Sequence, residues 1–133
     1  MKGQIQTSSI DFASYIELSD HSVGSIVTFQ GIVRNMESSK ELKHLFYEAD
    51  EKLAIEEMNR ILEDAIKKFD LIEAKAVHRI GIVKPGETSL LVVVHSPHRK
   101  EGFEACEYIV DVIKERLPIW KKDHFLDGSE SWH

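Results

Sequence analysis

Apolar and polar residues recur with two different periods along the chain, and these periods predict where helices and strands lie. Between residues 51 and 69, apolar side chains return every three or four positions, which is the spacing of one buried helix face. Asp50 stands directly before this segment, where its side chain can cap the first turn. The pattern therefore predicts a long amphipathic helix in the middle of the chain.

A second long helix is predicted at residues 102–116. Its apolar stripe consists of Phe103, Cys106, Ile109, Val110 and Ile113. Pro118 disfavours helix at the residue before it, so the helix should end there. Ile119 and Trp120 are too apolar for a free tail. We therefore expect the segment after the helix to fold back onto the body, with the Trp120 ring fixing the turn.

Four stretches rich in β-branched residues or alternating in polarity predict strands, at residues 24–34, 42–49, 72–80 and 89–95. The last is apolar almost throughout, which favours a strand buried on both faces. A short helix is predicted at residues 11–18, a loop at 35–40 and a turn at Pro85-Gly86. The order α-β-β-α-β-β-α plus a C-terminal tail indicates an α+β fold in which helices pack on an antiparallel or mixed sheet.

Composition narrows the class of protein. The 133 residues predict one domain, 1–133, and an apolar content of 42% is enough for a core. The formal charge of -6 argues against general nucleic-acid binding, because phosphate backbones attract positive surfaces. No stretch approaches the roughly 20 apolar residues of a membrane span. The N-terminus lacks the apolar core of a signal peptide, so we expect no membrane association and a cytoplasmic location.

Metal binding is not expected from this sequence. Cys106 is the single cysteine, so the chain can form no internal disulfide and no cysteine-based zinc site. The seven histidines are scattered, without a pair at metal-binding helical spacing. Phosphate-loop and dinucleotide-binding glycine motifs are also missing from the sequence, and we expect no cofactor.

Two lysines near the C-terminus are candidates for chemistry. Lys114 lies at the edge of the apolar stripe, and the returning tail should place Lys121 beside it. Two ammonium groups held together and partly desolvated lower one another's pKa, so that one can act as acid, base or nucleophile. The alternatives are a lysine whose stem packs on apolar surface and a solvated basic tail.

A second basic cluster follows the buried strand. His98 and Arg99 stand where a strand leads into a helix, and backbone N–H groups at a helix start attract anions. The alternative is a polar turn in which Glu101 pairs with these residues. Arg34 ends the first long strand, and alone it would be read as solvated. His78 lies within an alternating strand, which favours a hydrogen-bonded structural histidine.

The assembled motifs resemble the catalytic large subunit of molybdopterin synthase. The matching pieces run from about residue 24 to the C-terminus in the family's order, and together they are specific. They are Phe29-x-Gly31-x-Val33-Arg34, Tyr47-Glu48-Ala49, His78-Arg79-Ile80-Gly81, Ser96-Pro97-His98-Arg99, Lys114, Pro118-x-Trp120-Lys121-Lys122, and Asp127-Gly128-Ser129 before Trp132.

The resemblance implies an α/β hammerhead fold and an enzyme of molybdenum cofactor biosynthesis. Such an enzyme inserts two sulfur atoms into cyclic pyranopterin monophosphate to form molybdopterin. The resemblance also implies a sulfur donor, a small ubiquitin-like subunit whose C-terminal Gly-Gly ends as a thiocarboxylate. It further implies a homodimer of large subunits at the centre of a heterotetramer.

By position, the resemblance implies that Lys114 and Lys121 are catalytic, with Arg34, His98, Arg99 and Lys122 binding the substrate. A positive pocket suits this chemistry, because the thiocarboxylate and the phosphate are both anions. Which lysine is acid and which is base stays open. The rival hypothesis is a non-catalytic module that binds a small acidic protein or a phosphorylated metabolite through the same basic cleft.

Overall fold

Two β-sheets and two long helices make up the fold. The computed structural model describes residues 2–18 and 20–133. In chain order the elements are β1 (Lys2–Gln6), α1 (Phe12–Tyr15), β2 (Ser25–Ile32), β3 (Met36–Glu37), β4 (Lys40–Ala49), α2 (Glu51–Phe69), β5 (Glu73–Arg79), β6 (Gly81–Val83), β7 (Thr88–Ser96), α3 (Arg99–Arg116), β8 (Ile119–Phe125) and β9 (Glu130–Trp132). The predicted α+β class is confirmed. Across the described residues, no helix is long and apolar enough to cross a membrane.

The first sheet has the strand order β1-β5-β7-β2. Strand β1 runs parallel to β5, and the other pairs are antiparallel, so the sheet is mixed. Helices α2 and α3 cover one face, where Met58, Leu62, Val92 and Ile109 lie in the main core. Strand β7 is buried along nearly its whole length, as predicted. This sheet is the rigid support for α3.

The second sheet carries the C-terminal part of the chain. Its strand order is β3-β4-β8-β9, and β6 pairs with β4. The chain passes from β5 in the first sheet to β6 in the second at Gly81, whose φ of +80° favours glycine. The two sheets therefore meet where β5 ends, and a cleft opens beside this junction.

The helix boundaries follow from local capping and close packing. Asp50 caps α2 as predicted, because its Oδ1 accepts a hydrogen bond from Leu53 N at 3.2 Å. Helix α3 begins at Arg99, three residues before the predicted start, and Glu101 Oε1 accepts a hydrogen bond from His98 N at 2.9 Å. It ends at Arg116, two residues before Pro118, as predicted.

Several predictions about individual segments were wrong. Phe103 was assigned to the apolar stripe of α3 but is 62% exposed. The Trp120 ring does not fix a turn, since it is 51% exposed on β8. Strands β1, β3, β6, β8 and β9 were not predicted. These strands are short or rich in charged residues, so their sequences show no clear alternation of apolar and polar positions. Strand β8, with the sequence IWKKDHF, is an example.

Candidate active site

A cleft of about 450 Å³ lies between the two sheets at the C-terminal end of α3. It is lined by β2, β5 and β7 of the first sheet, by β3, β4 and β8 of the second, by the last turn of α3, by the segment after β2 and by the C-terminal residue. Its lining residues are Phe29, Gly31, Ile32, Val33, Arg34, Glu37, Leu42, Leu45, Tyr47, His78, Ser89, Leu90, Ile113, Lys114, Leu117, Ile119, Lys121 and His133.

Lys114 and Lys121 both line this cleft, although they come from different elements. Lys114 lies beside the buried Ile113 at the edge of the helix stripe, and its Nζ is 5.8 Å from the centroid of the Phe29 ring. Lys121 lies on β8 directly opposite Tyr47 of β4, so these two side chains share the cleft face of the sheet. The tail folds back as the sequence predicted, in the form of a strand.

Arg34 is the third cation at the cleft. It follows β2 by two residues, and its Nη2 donates to Glu37 Oε2 at 3.1 Å. The side chain is 76% exposed, which places it at the rim. Because an exposed ion pair is weak, a ligand anion can compete with Glu37 for this guanidinium. Within one protomer, the cleft thus combines two ammonium groups with a guanidinium at its edge.

The floor of the cleft is formed by Tyr47, His78 and Ser89. The Tyr47 and His78 rings pack edge to face with centroids 5.0 Å apart. Burial raises the pKa of the Tyr47 hydroxyl above its ordinary value and lowers the pKa of the His78 imidazole. His78 Nδ1 donates to the Arg79 carbonyl at 2.7 Å. The predicted hydrogen-bonded histidine is therefore confirmed, but it also faces the cleft.

The end of the chain supplies another part of the wall. Strand β9 pairs with β8, and His133 N donates to Lys121 O at 2.7 Å. His133 Nε2 lies 2.5 Å from Oδ2 of Asp123, a carboxylate that is fully buried. Sequence reasoning missed His133, Tyr47 and Ser89 as cleft residues. Strand pairing brings Tyr47 and His133 to Lys121, the meeting of the two sheets brings Ser89 to the same cleft, and no sequence motif signals either.

His98 and Arg99 lie elsewhere in the protomer. They line a separate open cavity of about 380 Å³ together with Gly24, Ser25, Pro97 and Lys100. This cavity adjoins the first turn of α3, whereas Lys114 is in the last. Fifteen residues at 1.5 Å each separate Arg99 from Lys114, which amounts to about 22 Å along the helix. One protomer therefore does not bring His98 and Arg99 to the lysine cleft.

Lys122 also lies outside the cleft. Successive residues of a strand point to opposite faces, so Lys122 faces away from Lys121. Its ammonium forms an ion pair with Glu130 and lies 5.1 Å from the centroid of the Trp132 ring. These contacts join β8 to β9 on the outer face of the second sheet.

Two other chemical groups bear on what the site can do. Cys106 is buried on α3, and burial raises the pKa of its thiol to about 11, so it is a poor nucleophile. Over residues 2–18 and 20–133, no group of three or more His, Cys, Asp or Glu side chains is placed to hold a metal ion. The arrangement in the lysine cleft is suited to binding an anion and to moving protons at it.

Comparison with known proteins gives consistent matches. A family model described as MoaE protein matches residues 5–116. A molybdopterin synthase catalytic subunit from Thermoplasma volcanium is 44% identical over 83% of this chain and 80% of its own length. The catalytic subunit from Pyrococcus abyssi is 44% identical over 86% of this chain and 77% of its own length.

Solved structures match at the level of the fold as well. The crystal structure of molybdopterin synthase from Staphylococcus aureus superimposes with a TM-score of 0.92 and is 32% identical in sequence. The match covers 97% of this chain and 94% of that chain. The match in structure therefore extends over almost the whole chain.

Proposed function

The chain belongs to the MoaE protein family, and on that premise we propose that it inserts sulfur into cyclic pyranopterin monophosphate to form molybdopterin. The family and the class of function predicted from the sequence, an enzyme of molybdenum cofactor biosynthesis, are confirmed by the relatives. The rival hypothesis of a non-catalytic binding module is not favoured, because these relatives are named catalytic subunits. The sulfur donor in our proposal is the C-terminal thiocarboxylate of a small ubiquitin-like subunit.

The convergence of Lys114 and Lys121 carries this proposal. Their ammonium groups line one cleft from α3 and β8, with Arg34 at the rim. A thiocarboxylate and a cyclic phosphate are both anions, and two anions repel one another unless cations lie between them. A cleft partly screened from water makes that compensation stronger than bulk solvent can. The protein is acidic as a whole, but its reaction site is locally positive.

Each sulfur transfer gives the lysines two tasks. The thiocarboxylate sulfur forms a bond to a side-chain carbon of the substrate as the carbon–oxygen bond there breaks, and the departing oxygen takes a proton. Water then cleaves the resulting thioester, which leaves the sulfur on the substrate and returns the donor as a carboxylate. One ammonium can supply the first proton while the other stabilises the developing charge. Two such transfers, followed by loss of one water across the two side-chain carbons to form their double bond, complete the dithiolene.

The separation of His98 and Arg99 from Lys114 fits a homodimer. About 22 Å of helix divides the two basic clusters within one protomer, so a single small ligand cannot touch both. A two-fold symmetric dimer can place the start of α3 from one protomer against the lysine cleft of the other. We propose that His98 and Arg99 bind substrate in this way, and that the reaction takes place in the cytoplasm. A mass near twice 15.3 kDa in solution would support the dimer.

Reconstitution tests the proposed reaction. The purified protein is mixed with thiocarboxylated small subunit and cyclic pyranopterin monophosphate, and the dithiolene product is detected by mass spectrometry. We expect product from the unchanged protein and none above background from Lys114→Ala or Lys121→Ala, with both variants folded by circular dichroism. Full activity in both variants, or tight binding of donor and substrate without product, would contradict the proposal.

A further inference from the structure

The cations of the lysine cleft can bind only the anionic groups of a pterin substrate. Lys114, Lys121 and Arg34 are donors without any acceptor atom, and they suit phosphate and thiocarboxylate oxygens. A pterin ring also has a donor edge, made by its 2-amino group and the adjacent ring N–H. A buried donor that finds no acceptor costs about 1–3 kcal/mol. The cleft therefore needs an acceptor, and its floor supplies one.

His78 presents an acceptor nitrogen at this floor. Its Nδ1 donates to the Arg79 carbonyl at 2.7 Å, so the proton of the neutral ring is on Nδ1. The residue is 8% exposed, and burial lowers the pKa of the imidazole and keeps it neutral. The lone pair is therefore on Nε2.

The Nε2 atom is available to a ligand. It has no hydrogen-bond partner in the described part of the chain, yet it is not among the fully enclosed polar atoms that lack partners. His95 on β7 is the contrasting case, because its Nε2 is fully enclosed. His78 lines the cleft and His95 does not. Nε2 of His78 therefore opens towards the space that the lysines surround.

Tyr47 adds a second acceptor beside this nitrogen. The nearby Ser89 side chain lowers the pKa of the Tyr47 hydroxyl, against the larger effect of burial. Ser89 Oγ donates its proton to the Gly31 carbonyl at 3.1 Å, and the oxygen of a neutral tyrosine can accept a hydrogen bond. The phenolic oxygen keeps a free lone pair. The edge-to-face packing at 5.0 Å holds the Tyr47 and His78 rings in a fixed relation.

We propose that Nε2 of His78, with the hydroxyl oxygen of Tyr47 beside it, forms an acceptor subsite that selects the 2-amino edge of a pterin. This subsite rests on the proposed function and identifies the part of the substrate that the cations do not recognise. In a ring with oxygen in place of the amino group, that oxygen faces Nε2 of His78. Both atoms are then acceptors, so no hydrogen bond forms and the ring binds more weakly. His78 and Tyr47 are thus specificity residues, and Lys114 and Lys121 remain the catalytic pair.

The test compares two probes that differ at one position. Pterin has the 2-amino group, whereas lumazine has oxygen there, and calorimetry gives the Kd of each for the purified protein. We expect pterin to bind at least about tenfold more tightly, since a buried unpaired acceptor costs that much or more. His78→Leu should reduce this preference to near unity. The Kd for inorganic phosphate, which reports on the lysines, should not change in that variant.

Three further variants guard against a folding artefact. His78→Gln retains a donor and an acceptor and should keep part of the preference for pterin. Tyr47→Phe keeps the ring packing and should lose part of it. His95→Leu removes a neighbouring buried imidazole outside the cleft and should keep all of it. Equal binding of both probes to the unchanged protein, no binding of either, or undiminished preference in His78→Leu would overturn the inference.

The result also separates this inference from the proposed reaction. A preference for pterin that depends on His78, found in a protein that makes no dithiolene product in reconstitution, would refute the reaction and retain the subsite. Product formation without any preference between the probes would refute the subsite and retain the reaction. The two readouts are independent, because the probe experiment needs neither the donor subunit nor sulfur.

Discussion

The two ends of α3 carry basic residues in different structural settings. At the N-terminal end, His98, Arg99 and Lys100 are consecutive in sequence and line an open cavity. At the C-terminal end, Lys114 meets Lys121 from β8 in a cleft closed by a second sheet. The first cluster is contiguous in the sequence, whereas the second forms only when the C-terminal tail folds back.

This difference bears directly on chemistry. Cations on a short open segment are well solvated, so salt screens their field over about 8–10 Å at ordinary ionic strength. Cations gathered from two elements against apolar walls, such as Phe29 and Leu117, act on a ligand with less competition from water. We therefore propose that the reaction takes place at the C-terminal end of α3, and that the N-terminal end binds substrate in a dimer.

The largest expected effect is a difference in activity between substitutions on the two faces of β8. Lys121→Ala should lower the turnover number by about 10²–10⁴-fold, because a group that transfers protons is lost. Lys122→Ala should have a far smaller effect, since its ammonium pairs with Glu130 on the outer face. Single-turnover rates with thiocarboxylated donor measure both. The prediction from sequence that Lys122 binds substrate would be supported if the two variants lost activity equally.

Mixed dimers test whether the two ends of α3 work together across an interface. Arg99→Ala and Lys114→Ala should each be nearly inactive alone. If one protomer supplies Arg99 to the other's lysine cleft, random mixing restores about one quarter of the sites, because half the dimers are mixed and each has one intact site. Activity assays on co-expressed chains measure the recovery. No recovery, or an active Arg99→Ala homodimer, would contradict the shared site.

A packing variant probes the N-terminal half of α3 without touching the cations. A Cβ on Gly102 would lie 2.7 Å from Ser96 Oγ and 3.1 Å from Val27 Cγ2, so the helix approaches the sheet closely there. Gly102→Val should lower the free energy of unfolding by about 1–3 kcal/mol through overpacking. Urea titration measures it, with the exposed Glu104→Ala as control. An unchanged midpoint for Gly102→Val would show that this contact is not tight.

The smallest effects are in the pH dependence of stability: at both ends stability falls as pH falls, but in different pH windows. Burial holds the pKa of His78 below 6.5, so the unfolded chain binds more protons and stability falls as pH falls through 6.5. Hydrogen bonds to its own N–H and to His98 N hold the pKa of Glu101 below 4.5. Its contribution is complete above pH 4.5 and is lost as pH falls through the lower folded value.

Urea titrations at a series of pH values check both windows. His78→Leu should flatten the decline between pH 7.5 and 5.5, and Glu101→Gln should flatten the decline below pH 4.5. Glu104→Gln, an exposed neighbour on α3, serves as the control and should alter neither region. Parallel curves for all three variants would show that neither end of the helix is linked to protonation in this way.

Elements with strong local signals were predictable from the sequence. Helix α2 has a clear apolar period and an Asp50 cap, and β7 contains the apolar run Leu90–Val94. The end of α3 before Pro118 follows from a steric rule that needs no tertiary information. Strand β1 was missed because Ile5 is its only buried residue, and its parallel pairing with β5 depends on partners 73 residues away.

The sequence predicted the two lysines of the site but not its uncharged side chains. Lys114 and Lys121 were identified, because an apolar tail after a helix stop must return to the body. Tyr47 and the acceptor face of His78 were not identified, since the register that sets Tyr47 opposite Lys121 is a property of the paired strands. Arg99 and Lys114 lie about 22 Å apart along α3, and the motifs that contain them do not show whether one substrate contacts both.

The central claim is that Lys114 and Lys121 act as one unit on the transferred sulfur. The most direct measurement is a single-turnover rate of product formation for Lys114→Ala, Lys121→Ala and the double variant, with saturating donor and substrate. Groups that act together are strongly non-additive, so the double variant should be scarcely slower than either single variant. Losses that multiply in the double variant, or single variants that keep full rates, would contradict the account.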